Sequence, residues 1–177
     1  MEELVQLAEL IKAKNEIDAQ ISRLVGRPAL VSHVGEYLAA RIFGIHLVES
    51  ASNKAIDGYF CTGPLAGKSV NVKWYPKQDG LLAIKPDSIP DYFLILSGPI
   101  TPAGSSRGTT RPWVIDHVYL FNAIDLIARL RQRGTKFSES TSIIKSFWKA
   151  AEIYPQANNM ECRISNETQK LLKLFKE

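Results

Sequence analysis

A chain of 177 residues, 45% of them hydrophobic and 23% charged, has the size of one folded domain with an extension and enough apolar side chains to order itself without metal or disulfide staples. The formal charge is +4 and the isoelectric point near 9.1, which permits a polyanionic partner without requiring one. No run approaches the roughly 20 apolar residues of a membrane span, the start Met1-Glu2-Glu3-Leu4-Val5 is acidic where a secretory leader is basic, and Cys61 and Cys162 belong to no Cys-x-x-Cys pair. The expectation is a cytoplasmic protein with reduced cysteines, no membrane contact and no zinc or redox motif.

Over residues 3–24 the apolar positions Leu4, Leu7, Leu10, Ile11, Ile17, Ile21 and Leu24, with charges between them, follow a helical period with a narrow seam. Gly26 and Pro28 end it. Such a seam packs on its own domain or pairs with a second helix, and its narrowness predicts a homodimer through this helix. Ser32 is placed to cap a second helix that carries Val34, Leu38, Ile42 and Phe43 on one side and closes at Gly44.

Extended segments follow at 45–48, 55–60, 69–75, 90–96 and 113–120, rich in aromatic and branched residues. Asn122 with Asp125 signals the cap of a helix running to about Arg133, where Gly134 stops it. Residues 143–153 and 167–175 are further helical candidates, although Ile143, Ile144, Phe147 and Trp148 also suit a strand. Residues 98–112, with three prolines and three glycines, form a long loop in which Arg107 and Arg111 are attractive to phosphate. These elements describe an α/β domain over 29–177, a mixed central sheet flanked by helices, behind an N-terminal helical extension over 1–28.

The informative feature is the pair of segments around Asp57 and Lys73. In a hairpin, alternation puts Asn71, Lys73 and Tyr75 on one face of the second strand and Val70, Val72 and Trp74 on the other. A symmetric turn about Pro64 sets Asp57 opposite Asn71, with Lys73 one step along. A carboxylate, an amide and an ammonium on a partly buried face are costly unless they satisfy one another, a metal or a ligand. The plainer account is a structural Asp57–Lys73 contact.

Gly35-Glu36-Tyr37-Leu38-Ala39-Ala40, Ile56-Asp57-Gly58-Tyr59-Phe60 and Val70-Asn71-Val72-Lys73-Trp74, in this order, resemble the PD-(D/E)xK nuclease superfamily, the restriction-endonuclease-like fold. In that family a helix carrying a Glu precedes a hairpin with an Asp on one strand and a (D/E/Q)-x-K tripeptide on the next. The resemblance spans about half the chain. It implies a Mg²⁺-dependent (or Mn²⁺-dependent) nuclease that hydrolyses DNA phosphodiesters, with Asp57 and Glu36 as metal ligands, the Val72 carbonyl and Asn71 as further ligands, and Lys73 orienting water and offsetting phosphate charge. Asn71 stands where the family has an acid, which lowers the expected metal affinity, and Glu49 or Asp79 are candidates for a displaced carboxylate. The rival is a non-catalytic nucleic-acid-binding or oligomeric scaffold protein that keeps the fold.

Arg129, Arg133 and Lys136 share a helical face if the helix continues past Gly134, and with Lys77, Lys85, Arg107 and Arg111 they outline a track for a nucleic-acid backbone; otherwise they are a solvated face. Gly104-Ser105-Ser106-Arg107-Gly108 has the G-x-S-x-G spacing of hydrolase elbows, but Pro102 and Pro112 flank it where a strand and a helix are needed. His33, His46 and His117 lack ligand spacing, no glycine-rich phosphate loop is present, and Trp74, Trp113 and Trp148 read as core residues rather than stacking platforms.

Overall fold

The computed structural model describes residues 2–49, 55–101 and 110–176. Helix α1 (Glu2–Val25) buries none of its residues and ends where Gly26, at φ 74°, returns its amide to the Ser22 carbonyl. Helix α2 (Val31–Phe43) is capped by Leu30, which offers no side-chain bond. Ser32 therefore lies inside the first turn instead of capping it. Gly44 closes α2 in the left-handed conformation, donating to the Ala40 carbonyl, the geometry that favours glycine there.

Eight strands follow: β1 (Ile45–Leu47), β2 (Gly58–Phe60), β3 (Ser69–Tyr75), β4 (Leu81–Leu82), β5 (Tyr92–Ser97), β6 (His117–Asn122), β7 (Thr141–Ser142) and β8 (Glu152–Tyr154). Six of them form one sheet in the order β1-β2-β3-β5-β6-β8, and β4 pairs with β7 apart from it. Within the six, β3 and β5 run parallel while every other neighbouring pair is antiparallel. The fold is the expected α/β arrangement, a mixed central sheet flanked by helices.

Both faces of the sheet are covered, and all six residues of β5 are buried accordingly. One face carries Val70, Val72 and Trp74 and packs on α2 residues Leu38, Ala39 and Ile42 and on Leu172 of α5 (Asn166–Lys173). Gly35 permits the close approach, since a Cβ there would sit 3.0 Å from the Trp74 Cβ. The other face carries Phe93, Ile95, Tyr119 and Phe121 under α3 (Ala123–Gln132), α4 (Lys145–Ala151) and the small β4–β7 sheet. The Asn122 side chain caps α3 by accepting the Asp125 amide at 3.1 Å, as expected.

Three elements differ from expectation. Strand 55–60 shortens to β2, and strand 113–120 starts only at His117. Segment 143–153 splits into α4 and β8, because its side chains serve both cores. Trp148 packs edge-on against Tyr119 and Phe121 at ring separations of 4.8 and 5.1 Å, whereas Ile153 and Tyr154 join the α2 side. One helix cannot turn to both faces of a sheet, but a helix followed by an edge strand can. Helix α3 also stops before the expected basic face is complete: Gly134 takes φ 69° and Thr135 turns back to the Leu130 carbonyl, so Lys136 does not continue the row of Arg129 and Arg133. Among the described residues no helix is long and apolar enough to cross a membrane.

Candidate functional site

Strands β2 and β3 pair Gly58 with Val70 and Tyr59 with Ser69, the register a turn centred near Pro64 predicts. Continued one residue, it sets Asp57 against Asn71. Here the backbone ladder hands over to a side chain. The Asp57 amide donates to the Val70 carbonyl at 2.9 Å and its carbonyl accepts from Val48 at 3.0 Å, while its carboxylate Oδ2 accepts the Val72 amide at 2.7 Å. Gly58 makes this crossing possible. A Cβ there would lie 2.4 Å from the His46 carbonyl oxygen and 2.7 Å from the Ile45 Cγ2, so no larger residue fits between β1 and Asp57.

Burial pushes the Asp57 carboxyl up from 3.8 to about 6, and the Glu36 charge adds to the rise; the Val72 amide, Lys73 and Arg27 oppose it. Lys73 is held below its ordinary value, chiefly by burial and to a lesser degree by Lys85, against the pull of Asp57 and Glu139. Asp57 and Lys73 are thus near enough to shift each other's ionisation, yet no direct ion pair joins them, and among the described residues Lys73 has neither an ion-pair nor a hydrogen-bond partner. The plain structural Asp57–Lys73 contact is not formed.

Asn71 is only 9% exposed and its Oδ1 is buried without a hydrogen-bond partner. With Lys73 it lines a cavity of about 90 Å³, whose walls include Phe93, Lys85 and Glu139, room for several waters or a hydrated ion. Asp57 is not part of that wall. Glu36 belongs to α2, which packs on the Val72 and Trp74 face, whereas Asn71 and Lys73 alternate to the opposite face. Its carboxylate accepts from the Arg27 guanidinium, so Glu36 reaches Asp57 only through its field.

The basic track is only partly free. Lys77 pairs with Asp79 at 3.2 Å, Lys85 with Glu139 at 3.2 Å and Arg129 with Asp125 at 2.9 Å; Arg129 also lies over the Phe147 ring. Arg111 and Arg133 are exposed. Arg107 and the Gly104-to-Gly108 motif lie outside the described residues. Of the displaced-carboxylate candidates, Asp79 lines a separate cavity of about 700 Å³ that contains none of Asp57, Asn71 and Lys73, and Glu49 is exposed. Trp74 and Trp148 are core residues as expected, but Trp113 is 39% exposed, tilted over Trp74. His33 and His117 meet Pro28 and Glu152.

Arg27 and Glu139 were not legible as neighbours of this site. Arg27 falls in the link between two helices, and Glu139 follows Lys73 by a separation that no local pattern spans. Among the described residues no three His, Cys, Asp or Glu side chains are grouped to hold a metal, so any divalent ion here relies on neutral oxygens beside one or two carboxylates. The orphaned Asn71 Oδ1 is such a neutral oxygen and the Asp57 carboxylate the acid beside it, a donor set of the kind Mg²⁺ accepts, since it takes few protein ligands and fills its octahedron with water and phosphate. No protein-family model matches the chain, and no curated protein matches it.

Proposed function

We propose that this chain is a metal-dependent nuclease-like protein that hydrolyses phosphodiester bonds in DNA, on a restriction-endonuclease-like fold and with Mg²⁺ or Mn²⁺. One observation carries the reading: Lys73 and Asn71, neighbours on one strand, line one cavity, and the Asn71 amide oxygen is buried there with no hydrogen-bond partner among the described residues. A ligand that satisfies them must offer an acceptor to Lys73 and a donor or cation to Asn71. A phosphate with a hydrated divalent cation offers both. The succession of Glu36 on a helix, Asp57 at a strand and Asn71-Val72-Lys73 on the next supports the resemblance to PD-(D/E)xK nucleases.

Asp57 and Asn71, with the Val72 carbonyl, would hold the ion, which when bound polarises phosphate and acidifies water; Glu36, held by Arg27 on the other face, would act on it only through its charge. Asp57 serves as a ligand or proton acceptor only when ionised, above a pH of about 6. Lys73 places positive charge where phosphate oxygens gain negative charge as a water oxygen bonds to phosphorus and the bond to the leaving sugar oxygen breaks. The Val72 amide fixes the Asp57 carboxylate through Oδ2, so the group is oriented before substrate arrives. The free thiols, exposed Cys61 and half-buried Cys162, suit a reducing, cytoplasmic setting.

A non-catalytic nucleic-acid-binding protein of the same fold is the second reading, favoured by the neutral Asn71 and by the Arg27 hold on Glu36. Single-turnover cleavage of plasmid and single-stranded DNA, with Mg²⁺ and with Mn²⁺, decides between them. Wild type should cut while Asp57→Ala and Lys73→Ala do not. Binding without cleavage in wild type supports the second reading, and cleavage that survives both alanine variants overturns the site.

A further inference from the structure

We infer that α1 is an association helix that pairs antiparallel with α1 of a second copy of this chain, an interface independent of the nuclease reading. Twenty-four residues of helix carry no buried side chain, and no α1 residue enters either core cluster. Helices draw most of their stability from a packed apolar face rather than from propensity. The face is present: Leu7, Leu10, Ile17 and Leu24 are 51%, 60%, 57% and 77% exposed. With Lys14 and Ile21 they recur at alternating spacings of three and four, the period of a two-helix seam.

Charge selects the partner and its direction. Lys14 is the charged member of the seam, and it is bonded along the same helix to Asp18. In-register parallel pairing would set Lys14 against the other copy's Lys14, a like-charge contact inside an apolar stripe. Antiparallel pairing sets Leu7 against Leu24, Leu10 against Ile21 and Lys14 against Ile17, with the second copy's Asp18 one residue from each Lys14. The same alignment lays the acidic first turn, Glu2 and Glu3, at the negative C-terminal end of the other copy's helix, beyond its Arg23, and it opposes the two helix dipoles. A copy of the same helix is thus complementary to it in both apolar pattern and charge. Ile21 and Val25 are half-buried, and the most open members of the stripe are Leu7, Leu10, Ile17 and Leu24. The folded domains then sit at opposite ends of the helix pair.

The test combines mass with cross-linking. Light scattering at tens of micromolar should give twice the 19.7 kDa chain mass, and Leu10→Glu with Ile17→Glu should give a monomer whose domain melts at the wild-type temperature. In a background with Cys61→Ser and Cys162→Ser, oxidation of Leu7→Cys mixed with Leu24→Cys should yield a disulfide-linked pair, whereas neither variant alone should. A monomeric wild type, or a dimer indifferent to the two glutamates, overturns the interface; self-cross-linking of Leu7→Cys alone overturns the antiparallel direction.

Discussion

The Asp57 carboxylate accepts the Val72 amide at 2.7 Å, so a titratable side chain closes the hairpin between β2 and β3 at a place where a backbone carbonyl would ordinarily do so. The half-buried acid accepts a neutral donor and, among the described residues, forms no ion pair, and its burial makes its ionisation costly.

That cost appears as a pH dependence of stability. Asp57 titrates near 6 when folded and near 3.8 otherwise, so between those values the folded chain holds more protons than the unfolded one. Its contribution is fully present below about pH 3.8 and is lost as pH rises through 6, by up to about 3 kcal/mol. Asp57→Asn keeps an acceptor for Val72 without the charge. It should be more stable than wild type by about 1–3 kcal/mol at pH 8 and equal to it near pH 4. Urea unfolding of both proteins at the two pH values checks this; a difference that does not change with pH would mean that burial does not shift Asp57.

Gly58→Ala tests the crossing itself. With a Cβ 2.4 Å from the His46 carbonyl, β1 must move off β2, at a cost of about 1–3 kcal/mol or more. Asp57 moves with it. Stability should fall by that amount in denaturant melts, and any cleavage should fall further than the loss of folded protein explains. An alanine variant with wild-type stability would show that the strands have slack there.

The hairpin register, the left-handed cap at Gly44 and the Asn122 cap were all legible, because each is written in residues close in sequence. Asp57, Asn71 and Lys73 were legible together for the same reason: one tight turn fixes their relative phase. Glu36 was legible as a helix residue but not in its layer, since only the packing of Gly35 on Trp74 assigns α2 to the Val72 face. The split at Glu152 was hidden because the apolar residues of 143–153 suit a helix as well as a strand, and yet Trp148 and Ile153 serve cores on opposite sides of the sheet. Partners that lie far apart in sequence, such as Glu139 beside Lys73, leave no local trace.

Binding to DNA should depend on the cations without acidic partners. Lys77 and Arg129 are paired to Asp79 and Asp125, whereas Arg133 and Lys136 are exposed without ion pairs among the described residues. Removing both should lower the slope of log affinity against log salt by about 2, and Arg129→Ala should leave it nearly unchanged. Fluorescence anisotropy across a salt series reads both slopes. Equal loss from Arg129→Ala would show that its pairing with Asp125 opens on binding.

In the proposed nuclease reading, Asn71 would decide how tightly an ion is held. Its Oδ1 is buried and unpartnered, and as a neutral oxygen it attracts Mg²⁺ far less than a carboxylate does. Asn71→Asp places a second acid opposite Asp57, so without metal the two carboxylates repel and the variant should melt below wild type at pH 8. Metal reverses the order. An ion that bridges both acids binds only the folded chain, and at a hundred times its Kd it adds about 2.7 kcal/mol, so the variant should gain more from Mg²⁺ or Mn²⁺ than wild type does. Single-turnover cleavage should rise in parallel. Thermal melts with and without each ion, on wild type, Asn71→Asp and the double variant Asn71→Asp with Asp57→Asn, separate the terms: the double variant should lose both the repulsion and the metal response. A metal response that survives in the double variant would place the ion elsewhere, and no response in Asn71→Asp would leave this strand pair without a role in metal binding.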